Sequence, residues 1–216
     1  MSISKGLFIT FEGIDGCGKS TQAKMLVDYL NQFGDKAIMV REPGGTKISE
    51  EIRDILLNRH LDDICDRTEA LLMTGSRSQL TYEIILPKLE KGINVVADRY
   101  YDSTLAYQGG GRKLDLEWLI KLNYFATYNL DPNITFFIDI DPNEAQKRKD
   151  QEEDRIERAG IDLQNRVRSA YVSLAKRFNH RYVSINGDDS IESIHNAIID
   201  KMKKKNLIKW KNIEKK

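Results

Sequence analysis

The chain has 216 residues, of which 40% are hydrophobic and 31% are charged, and its formal net charge is +1. This length favours one domain, because a single core grows to about 250 residues before a chain divides. The composition excludes extensive disorder, and the apolar runs are too short for membrane spans. Residues 201–216 contain eight lysines and one glutamate, so the rest of the chain is acidic overall. We therefore expect no nucleic-acid partner, since non-specific binding to nucleic acid requires a basic surface.

The N-terminal residues and the cysteines bear on where the protein works. The stretch MSISKGLFITFEG runs directly into a glycine motif without a signal-peptide pattern. Cys17 and Cys65 lack metal-site spacing, and two cysteines in a chain of this length are not typical of a secreted disulfide scaffold. We expect a cytoplasmic protein with reduced thiols and no membrane association.

Apolar, partly β-branched runs recur along the chain, and each is followed by a longer segment of helical periodicity. In chain order the runs are GLFITFE, KAIMV, INVVA, ITFFIDI and RYVSI. Near-continuous apolar strands that alternate with helices predict a parallel sheet covered by helices on both faces. We predict a five-stranded α/β sandwich that forms one domain over residues 1–206, followed by a basic C-terminal tail over residues 207–216.

The first run leads into FEGIDGCGKSTQAKML, in which Gly13, Gly18, Lys19 and Ser20 fill the fixed positions of GxxxxGK[ST]. Glycines let successive backbone N–H groups point inward and form an anion nest at the positive end of a helix. Lys19 would reach the β- and γ-phosphates, and the Ser20 hydroxyl would bind Mg²⁺. The motif predicts ATP binding by the whole loop, which comprises Gly13, Ile14, Asp15, Gly16, Cys17, Gly18, Lys19, Ser20 and Thr21.

Two further segments supply candidates for a second substrate. VVADRYYDSTLAYQGGGR places Asp98 and Arg99 at the carboxyl end of a predicted strand, where open α/β sheets bind ligands. Asp98 would hold Mg²⁺ through water, and an exposed ion pair is the alternative interpretation of these two residues. In VREPGGTKISEEIR, Arg41 and Glu42 follow a strand and precede an X-Pro-Gly-Gly turn, and Arg53 comes from the next helix. This second segment predicts a shaped loop.

The segments FEGIDGCGKST, REPGGT, DRYYDSTLAYQGGGR and DRIE, in that order and across nearly the whole chain, resemble those of bacterial thymidylate kinase. The resemblance implies a P-loop NTPase-type three-layer α/β/α sandwich with a five-stranded parallel sheet and a short lid. It also implies a homodimer that transfers the γ-phosphoryl group of MgATP to thymidine 5′-monophosphate (dTMP). The acceptor is then a phosphate dianion, which needs no general base.

The resemblance also assigns residues to the acceptor. Three arginines surround the acceptor phosphate, where bidentate guanidinium groups suit a dianion, and they are Arg41, Arg77 and Arg99. Asp15 lies near the sugar hydroxyl, and Tyr107 sits against C2′, where it disfavours a ribose hydroxyl. The base and the remaining acceptor contacts involve Glu42, Pro43, Arg53, Met73, Thr104 and Gln108. Met73 is a departure, because the family usually has a phenylalanine there that stacks on thymine.

A second departure concerns the catalytic cation. Some family members carry an arginine within the glycine loop, whereas Gly16 and Cys17 stand at those positions here. The charged stretch at residues 147–160 resembles the mobile lid of the subgroup that supplies this cation. It contains Arg155 as the catalytic candidate, and Arg148 matches a position that lies over adenine. The predicted catalytic residues are therefore Lys19, Asp15, Arg99 and Arg155.

Two other functions stay open on the sequence. A deoxynucleoside kinase would phosphorylate a hydroxyl and need a carboxylate base, for which Asp15 or Glu42 could serve. A nucleotide-dependent switch would use the glycine loop without a small-molecule acceptor. The acceptor-side arginines disfavour the first alternative, because a neutral nucleoside offers them no charge. Neither alternative accounts for REPGGT and AYQGGG together.

Overall fold

The computed structural model of the chain describes residues 5–58, 63–148, 155, 156, 158 and 160–208. In this part of the chain, helices pack against a five-stranded parallel sheet with the strand order β2-β3-β1-β4-β5. The strands are β1 (Phe8–Glu12), β2 (Ala37–Arg41), β3 (Asn94–Asp98), β4 (Ile134–Asp139) and β5 (Tyr182–Asn186). Each strand lies within or overlaps a predicted apolar run. The predicted parallel sheet and the α/β sandwich are confirmed.

Helices occupy most of the segments between the strands. Their bounds are α1 (Lys19–Gln32), α2 (Lys47–Leu57), α3 (Asp66–Leu80), α4 (Leu86–Glu90), α5 (Tyr101–Thr104), α6 (Leu116–Ala126), α7 (Pro142–Lys147), α8 (Gly160–Arg177) and α9 (Ile191–Lys204). A π-helical turn at Thr81–Ile85 joins α3 to α4, and a second one at Leu105–Gly111 extends α5. None of the helices in the described ranges is long and apolar enough to pass through a lipid bilayer.

Side chains cap several helix N-termini in the usual way, which satisfies N–H groups that have no partner within the helix. Thr46 caps α2, Asp115 caps α6, Asp141 caps α7 and Ser190 caps α9. Helix α1 starts after Gly18 and, like α3 and α5, has no side-chain cap among the described residues. Its first N–H groups are therefore available to a ligand.

The core lies around the central strands β1 and β4, whose residues are almost all buried. Phe11 stacks on Phe136 with ring centroids 5.4 Å apart, and Phe137 stacks on Tyr171 of α8 at 5.3 Å. Each such buried aromatic side chain contributes about 1.5–3 kcal/mol through the removal of apolar surface from water. The packed sheet gives the loops at its carboxyl edge a rigid base.

The structure describes only part of the predicted tail and part of the predicted lid. Ile208, which the prediction assigns to the tail, is buried, and the Leu207 N–H donates to the carbonyl of Met202. The remaining tail residues, 209–216, lie outside the described residues. So do residues 149–154, 157 and 159 of the predicted lid. The domain and lid boundaries stay predictions.

Candidate active site

The glycine loop connects β1 to α1 at the carboxyl edge of the sheet. Gly13 and Gly18 adopt φ values of 144° and 97°, a region that residues with a Cβ rarely enter. A Cβ on Gly13 would also collide with the Ile138 carbonyl and the Cys17 sulfur. Lys19 is buried, and its Nζ donates to the Ile14 carbonyl at 2.7 Å. The loop therefore places an ammonium group beside the uncapped start of α1, which is an anion-binding arrangement.

A cleft of about 1170 Å³ opens in front of this loop. Most of the predicted site residues line it, namely Asp15, Gly16, Cys17, Gly18, Lys19, Ser20, Thr21, Arg41, Glu42, Pro43, Arg53, Met73, Arg77, Asp98, Arg99, Thr104, Tyr107, Gln108 and Arg148. Gly13, Ile14 and Arg155 are not among the lining residues. The carbonyls of Gly13 and Ile14 instead fix Arg99 and Lys19 from behind the loop.

Arg99 is the centre of a hydrogen-bonded group that faces the glycine loop. Its guanidinium forms an ion pair with Asp15 and donates to the Gly13 carbonyl and to Ser103. The Tyr107 hydroxyl donates to the other Asp15 oxygen at 2.8 Å, and the Arg99 guanidinium lies over the Tyr107 ring. Arg99 has a φ of 72°, which is uncommon for a residue other than glycine. Such backbone strain is typical of functional positions, where the surrounding contacts hold it in place.

Glu12 lies behind this group and is completely buried. One of its carboxylate oxygens accepts from the Tyr100 N–H at 2.7 Å, and the other accepts from Ser103 at 2.6 Å and Tyr171 at 2.8 Å. Burial raises the pKa of Glu12 to about 7, and the nearby Asp102 carboxylate acts in the same direction. Ser103 and Tyr171 also contact Arg99. Glu12 therefore supports the arginine from the core side.

We expect the raised pKa of Glu12 to appear in the pH dependence of stability. The folded state keeps a proton that the unfolded state loses above its ordinary pKa of 4.5. This contribution to the unfolding free energy is complete below about pH 4.5 and is lost as the pH rises to about 7. Between these values the wild type should lose about 3 kcal/mol relative to Glu12→Gln. Urea unfolding of both proteins across this range is the measurement, and parallel pH curves would contradict the prediction.

Arg77 is buried in the wall of the cleft. Its Nε donates to Glu42 at 2.6 Å, and its terminal nitrogens donate to Thr104, Asn123 and the Tyr100 carbonyl. Burial raises the pKa of Glu42, against the opposing effect of the Arg77 charge and hydrogen bond. The second Glu42 oxygen is buried and has no hydrogen-bond partner among the described residues. Arg77 thus uses most of its N–H groups to shape the wall of the cleft.

The REPGGT loop brings two more arginines to the rim. Arg41 donates to both Glu50 oxygens, at 2.9 and 3.1 Å, and to the Pro43 carbonyl at 3.1 Å. Arg53 donates to the same carbonyl at 2.9 Å. The Gly45 N–H and then Arg41 lower the pKa of Glu50. Because the Arg41–Glu50 pair is about half exposed, its strength is limited by solvent screening.

Met73, Thr104 and Gln108 also line the cleft. Met73 is half-buried and packs against the core, and Thr104 receives a hydrogen bond from Arg77. The Gln108 side-chain NH₂ donates to Glu69 at 2.9 Å. Glu69 is buried in α3, and the sequence did not identify it as a site residue.

Glu69 accepts hydrogen bonds from three side chains. It also accepts from Arg112, at 3.2 and 3.3 Å, and from Arg155 at 2.6 Å. Burial alone would raise the pKa of Glu69, but the hydrogen bond from Gln108 and the two arginines outweigh burial and lower it. Glu69 is therefore an ionised acceptor with all its donors supplied by the protein.

Arg155 lies on this carboxylate and is 8% exposed. Its Nε donates to the Leu56 carbonyl at the end of α2. The next residue, Ile156, lines the cleft. The structure thus places the predicted lid arginine against α3 and the end of α2, not at the glycine loop.

The remaining predicted residues lie on the nucleotide side. At the start of α1, the Ser20 hydroxyl donates to the Asp98 carboxylate at the end of β3. The two residues predicted to hold Mg²⁺ are therefore in direct contact. Arg148 donates to the Gly187 carbonyl at 2.9 Å after β5. The loop after β5 and the start of α9 also line the cleft with residues that were not predicted, namely Asp189, Ser190, Ile191 and Ile194.

Helical spacing in the sequence could have identified Glu69 as a residue near the site, because it lies four residues before Met73 and eight before Arg77 on α3. That interval places all three on one helix face.

The comparisons with known proteins agree with one another. A family model described as thymidylate kinase matches residues 11–198. The thymidylate kinase of Thermoanaerobacter sp. (strain X514) is 47% identical over 201 residues, which cover 93% of this chain and 98% of that protein. The thymidylate kinase of Fervidobacterium nodosum is 46% identical over 194 residues, covering 89% and 96%. The crystal structure of thymidylate kinase from Ehrlichia chaffeensis superposes with a TM-score of 0.77 at 32% identity, covering 92% of this chain and 99% of that one. The chain therefore belongs to the thymidylate kinase family.

Proposed function

We propose that the protein transfers the γ-phosphoryl group of ATP to dTMP and releases ADP and thymidine 5′-diphosphate for dTTP synthesis. The observation that carries this proposal is a cleft lined by basic side chains from separate segments of the chain, among them Lys19, Arg41, Arg53, Arg77 and Arg99. Lys19 lies beside the uncapped start of α1, and Arg99 contacts Gly13 and Asp15 of the same loop. Family membership supports dTMP as the acceptor.

The reaction requires the protein mainly to align the two substrates and to neutralise the charge of their phosphates. The second pKa of a phosphate monoester is near 6, so the attacking oxygen is already anionic at neutral pH. It forms a bond to the γ-phosphorus while the bond to the bridging oxygen of ADP breaks in line. Lys19 would bind the donor phosphates and Arg99 the acceptor phosphate, so two polyanions approach without repulsion.

Mg²⁺ fits the residues at the start of α1. The Ser20 hydroxyl would bind the ion directly and the Asp98 carboxylate, which Ser20 contacts, would hold it through water, because Mg²⁺ usually keeps several waters beside substrate phosphates. When bound, the ion would neutralise charge on the donor phosphate oxygens.

We also propose that the chain belongs to the subgroup whose catalytic arginine is in the lid. The glycine loop carries Gly16 and Cys17 in place of an arginine, so the cation has to come from elsewhere. Arg155 would exchange the Glu69 carboxylate for phosphate oxygens, and Arg148 would cover the adenine.

Arg155→Ala tests this role. We expect kcat to fall at least about a hundredfold, because a charge that acts in the transition state is lost. The KM for dTMP should change less than about threefold, which separates loss of chemistry from loss of acceptor binding. Arg155→Lys is the matched control and should restore part of kcat. Unchanged turnover in Arg155→Ala would remove Arg155 from catalysis.

The function itself is tested by an ADP-release assay with MgATP. The acceptors are thymidine, dTMP, deoxyuridylate, uridylate, cytidylate and guanylate. We expect strong turnover with dTMP, weaker turnover with deoxyuridylate and very little with uridylate, because Tyr107 would exclude a 2′-hydroxyl. Turnover with thymidine in place of dTMP would favour the deoxynucleoside kinase. ATP hydrolysis that no acceptor changes would favour the nucleotide-dependent switch.

We propose a homodimer, which exposed apolar side chains on and around α3 and α6 support. Phe125 is 85% exposed, and Leu71, Tyr82 and Tyr128 are each more than half exposed. Tyr82 and Tyr128 pair across the two segments with ring centroids 6.1 Å apart. Exposed apolar side chains grouped in this way are typical of association surfaces.

Phe125→Asp should shift the protein from dimer to monomer in sedimentation velocity. The charged side chain would have to be buried without a partner in the dimer. The matched control is Ile48→Asp, at an exposed apolar position on α2, which should leave the sedimentation coefficient unchanged. A monomeric wild type would refute the dimer. The cytoplasmic location and the single-domain boundaries stay predictions from the sequence.

A further inference from the structure

Glu69 is a buried carboxylate that contacts a cleft-lining side chain from behind. Its neighbours on the same face of α3, Met73 and Arg77, both line the cleft. Glu69 itself does not reach the cleft and accepts the side-chain NH₂ of Gln108 at 2.9 Å. Glu69 can therefore act on the wall of the cleft through Gln108, separately from its contact with Arg155.

The chemistry of the pair fixes which end of the Gln108 amide faces the cleft. An ionised carboxylate only accepts hydrogen bonds, so the Gln108 nitrogen has to point at Glu69. The carbonyl oxygen, Oε1, then points away from Glu69. Within the described residues no hydrogen bond reaches this oxygen, although Gln108 lines the cleft. The side chain thus offers a hydrogen-bond acceptor to whatever occupies this part of the cleft.

Arg112 keeps the carboxylate in place and ionised. It donates to both Glu69 oxygens, at 3.3 and 3.2 Å, and this contact does not depend on Arg155, which the proposed reaction moves to the phosphates. Rotation of Glu69 would leave the Arg112 guanidinium without its anion, which is costly beside a buried group. The orientation of Gln108 therefore rests on a rigid support.

We propose that Glu69 is a positioning residue for acceptor selection, because it holds Gln108 with the carbonyl oxygen toward the base. This inference rests on the proposed function, in which a pyrimidine monophosphate occupies the acceptor half of the cleft. Thymine and uracil carry a hydrogen on N3 and would donate to that oxygen. Cytosine has a lone pair on N3 and would meet the oxygen with repulsion. Glu69 thereby excludes deoxycytidylate without contacting it.

Glu69→Gln is the direct test. The substituted amide can donate as well as accept, so Gln108 is free to turn and present its NH₂ group. We expect the ratio of kcat/KM for dTMP to kcat/KM for deoxycytidylate to fall by about tenfold, which corresponds to one hydrogen bond gained or lost. A purely structural role would lower both values together and leave the ratio unchanged. An unchanged ratio in the folded variant would overturn the proposal.

Two controls isolate the path through Gln108. Glu83 accepts from Gln79 at 2.9 Å in an exposed pair of the same chemistry, so Glu83→Gln should leave the ratio unchanged. Gln108→Leu removes the amide, and Glu69→Gln added to it should not change the ratio further. A further change in the double variant would show that Glu69 acts by another route, against the proposal.

Further measurements keep the test decisive. If Glu69→Gln does not fold, Glu69→Asp retains an anion for Arg112 but withdraws the carboxylate by one methylene from Gln108, so the ratio should fall there as well, and an unchanged ratio would overturn the proposal. In the wild type, 3-methylthymidine monophosphate should bind at least about tenfold more weakly than dTMP in calorimetry, because N3 no longer donates. Equal affinities would refute the role of the carbonyl oxygen. A wild type that does not phosphorylate dTMP would refute the proposed function, whereas normal dTMP turnover with an unchanged ratio would refute only the role of Glu69.

Discussion

Lys19→Met is expected to lower kcat by about a thousandfold, the upper end of the range for the loss of one preorganised donor. Lys19 is 6% exposed, and its ammonium group is held within the loop by the Ile14 carbonyl. In the proposed reaction this preorganised charge would bind the donor phosphates. Methionine keeps most of the apolar stem, so the packing of α1 should survive. The measurement is steady-state ADP release at saturating MgATP and dTMP.

A control on the same helix separates the charge at this position from the charge of the protein. Lys24 is exposed on α1, and Lys24→Met should retain wild-type kcat. Thermal unfolding of both variants should stay close to that of the wild type. Turnover in Lys19→Met within about threefold of the wild type would contradict the assignment of the glycine loop as the donor site.

Arg181→Met is expected to lower the free energy of unfolding by about 3–5 kcal/mol, because it leaves a buried carboxylate without its partner. Arg181 donates to both Asp102 oxygens, at 2.6 and 2.8 Å, and both side chains are almost fully buried. The guanidinium also lies over the rings of Tyr101, Phe178 and Tyr182. The pair connects the residue before β5 to α5, and α5 begins two residues after Arg99. Urea unfolding with an unchanged slope is the measurement.

The chain supplies a matched exposed pair. Arg177 and Glu117 approach to 2.8 Å but are largely exposed, so Arg177→Met should change stability by less than about 1 kcal/mol. Asp102→Leu added to Arg181→Met should recover part of the loss, because the unpaired charge is removed. A loss below about 1 kcal/mol for Arg181→Met alone would contradict the buried-pair argument.

The sheet and the glycine loop were predictable because their signals are local. An apolar run such as ITFFIDI indicates a buried strand by itself, and GxxxxGK[ST] fixes the spacing of Gly13, Lys19 and Ser20. The structure confirms the strands that these runs predict. The roles assigned to the individual site residues stay predictions, although nearly all of them share a cleft.

The contacts of Glu69 could not be predicted, because they are not local. Arg155 is 86 residues away in the sequence, and alternating charges around it are typical of a solvated helix face. Only the folded chain shows that the arginine is buried against α3. Glu12 is a similar case, since burial raises the pKa of this carboxylate and the Asp102 carboxylate of α5 acts in the same direction. Pairings of this kind depend on tertiary structure, which local sequence patterns do not contain.

The uncapped start of α1 makes the stability of the protein depend on the composition of its surroundings. Helices α2, α6, α7 and α9 carry their own caps, whereas α1 would obtain its cap from a dissolved phosphate. A ligand that binds only the folded state stabilises it in proportion to the logarithm of its concentration. The melting temperature is therefore a property of the protein together with its nucleotide supply, and a fall in that supply would loosen the enzyme as well as slow it.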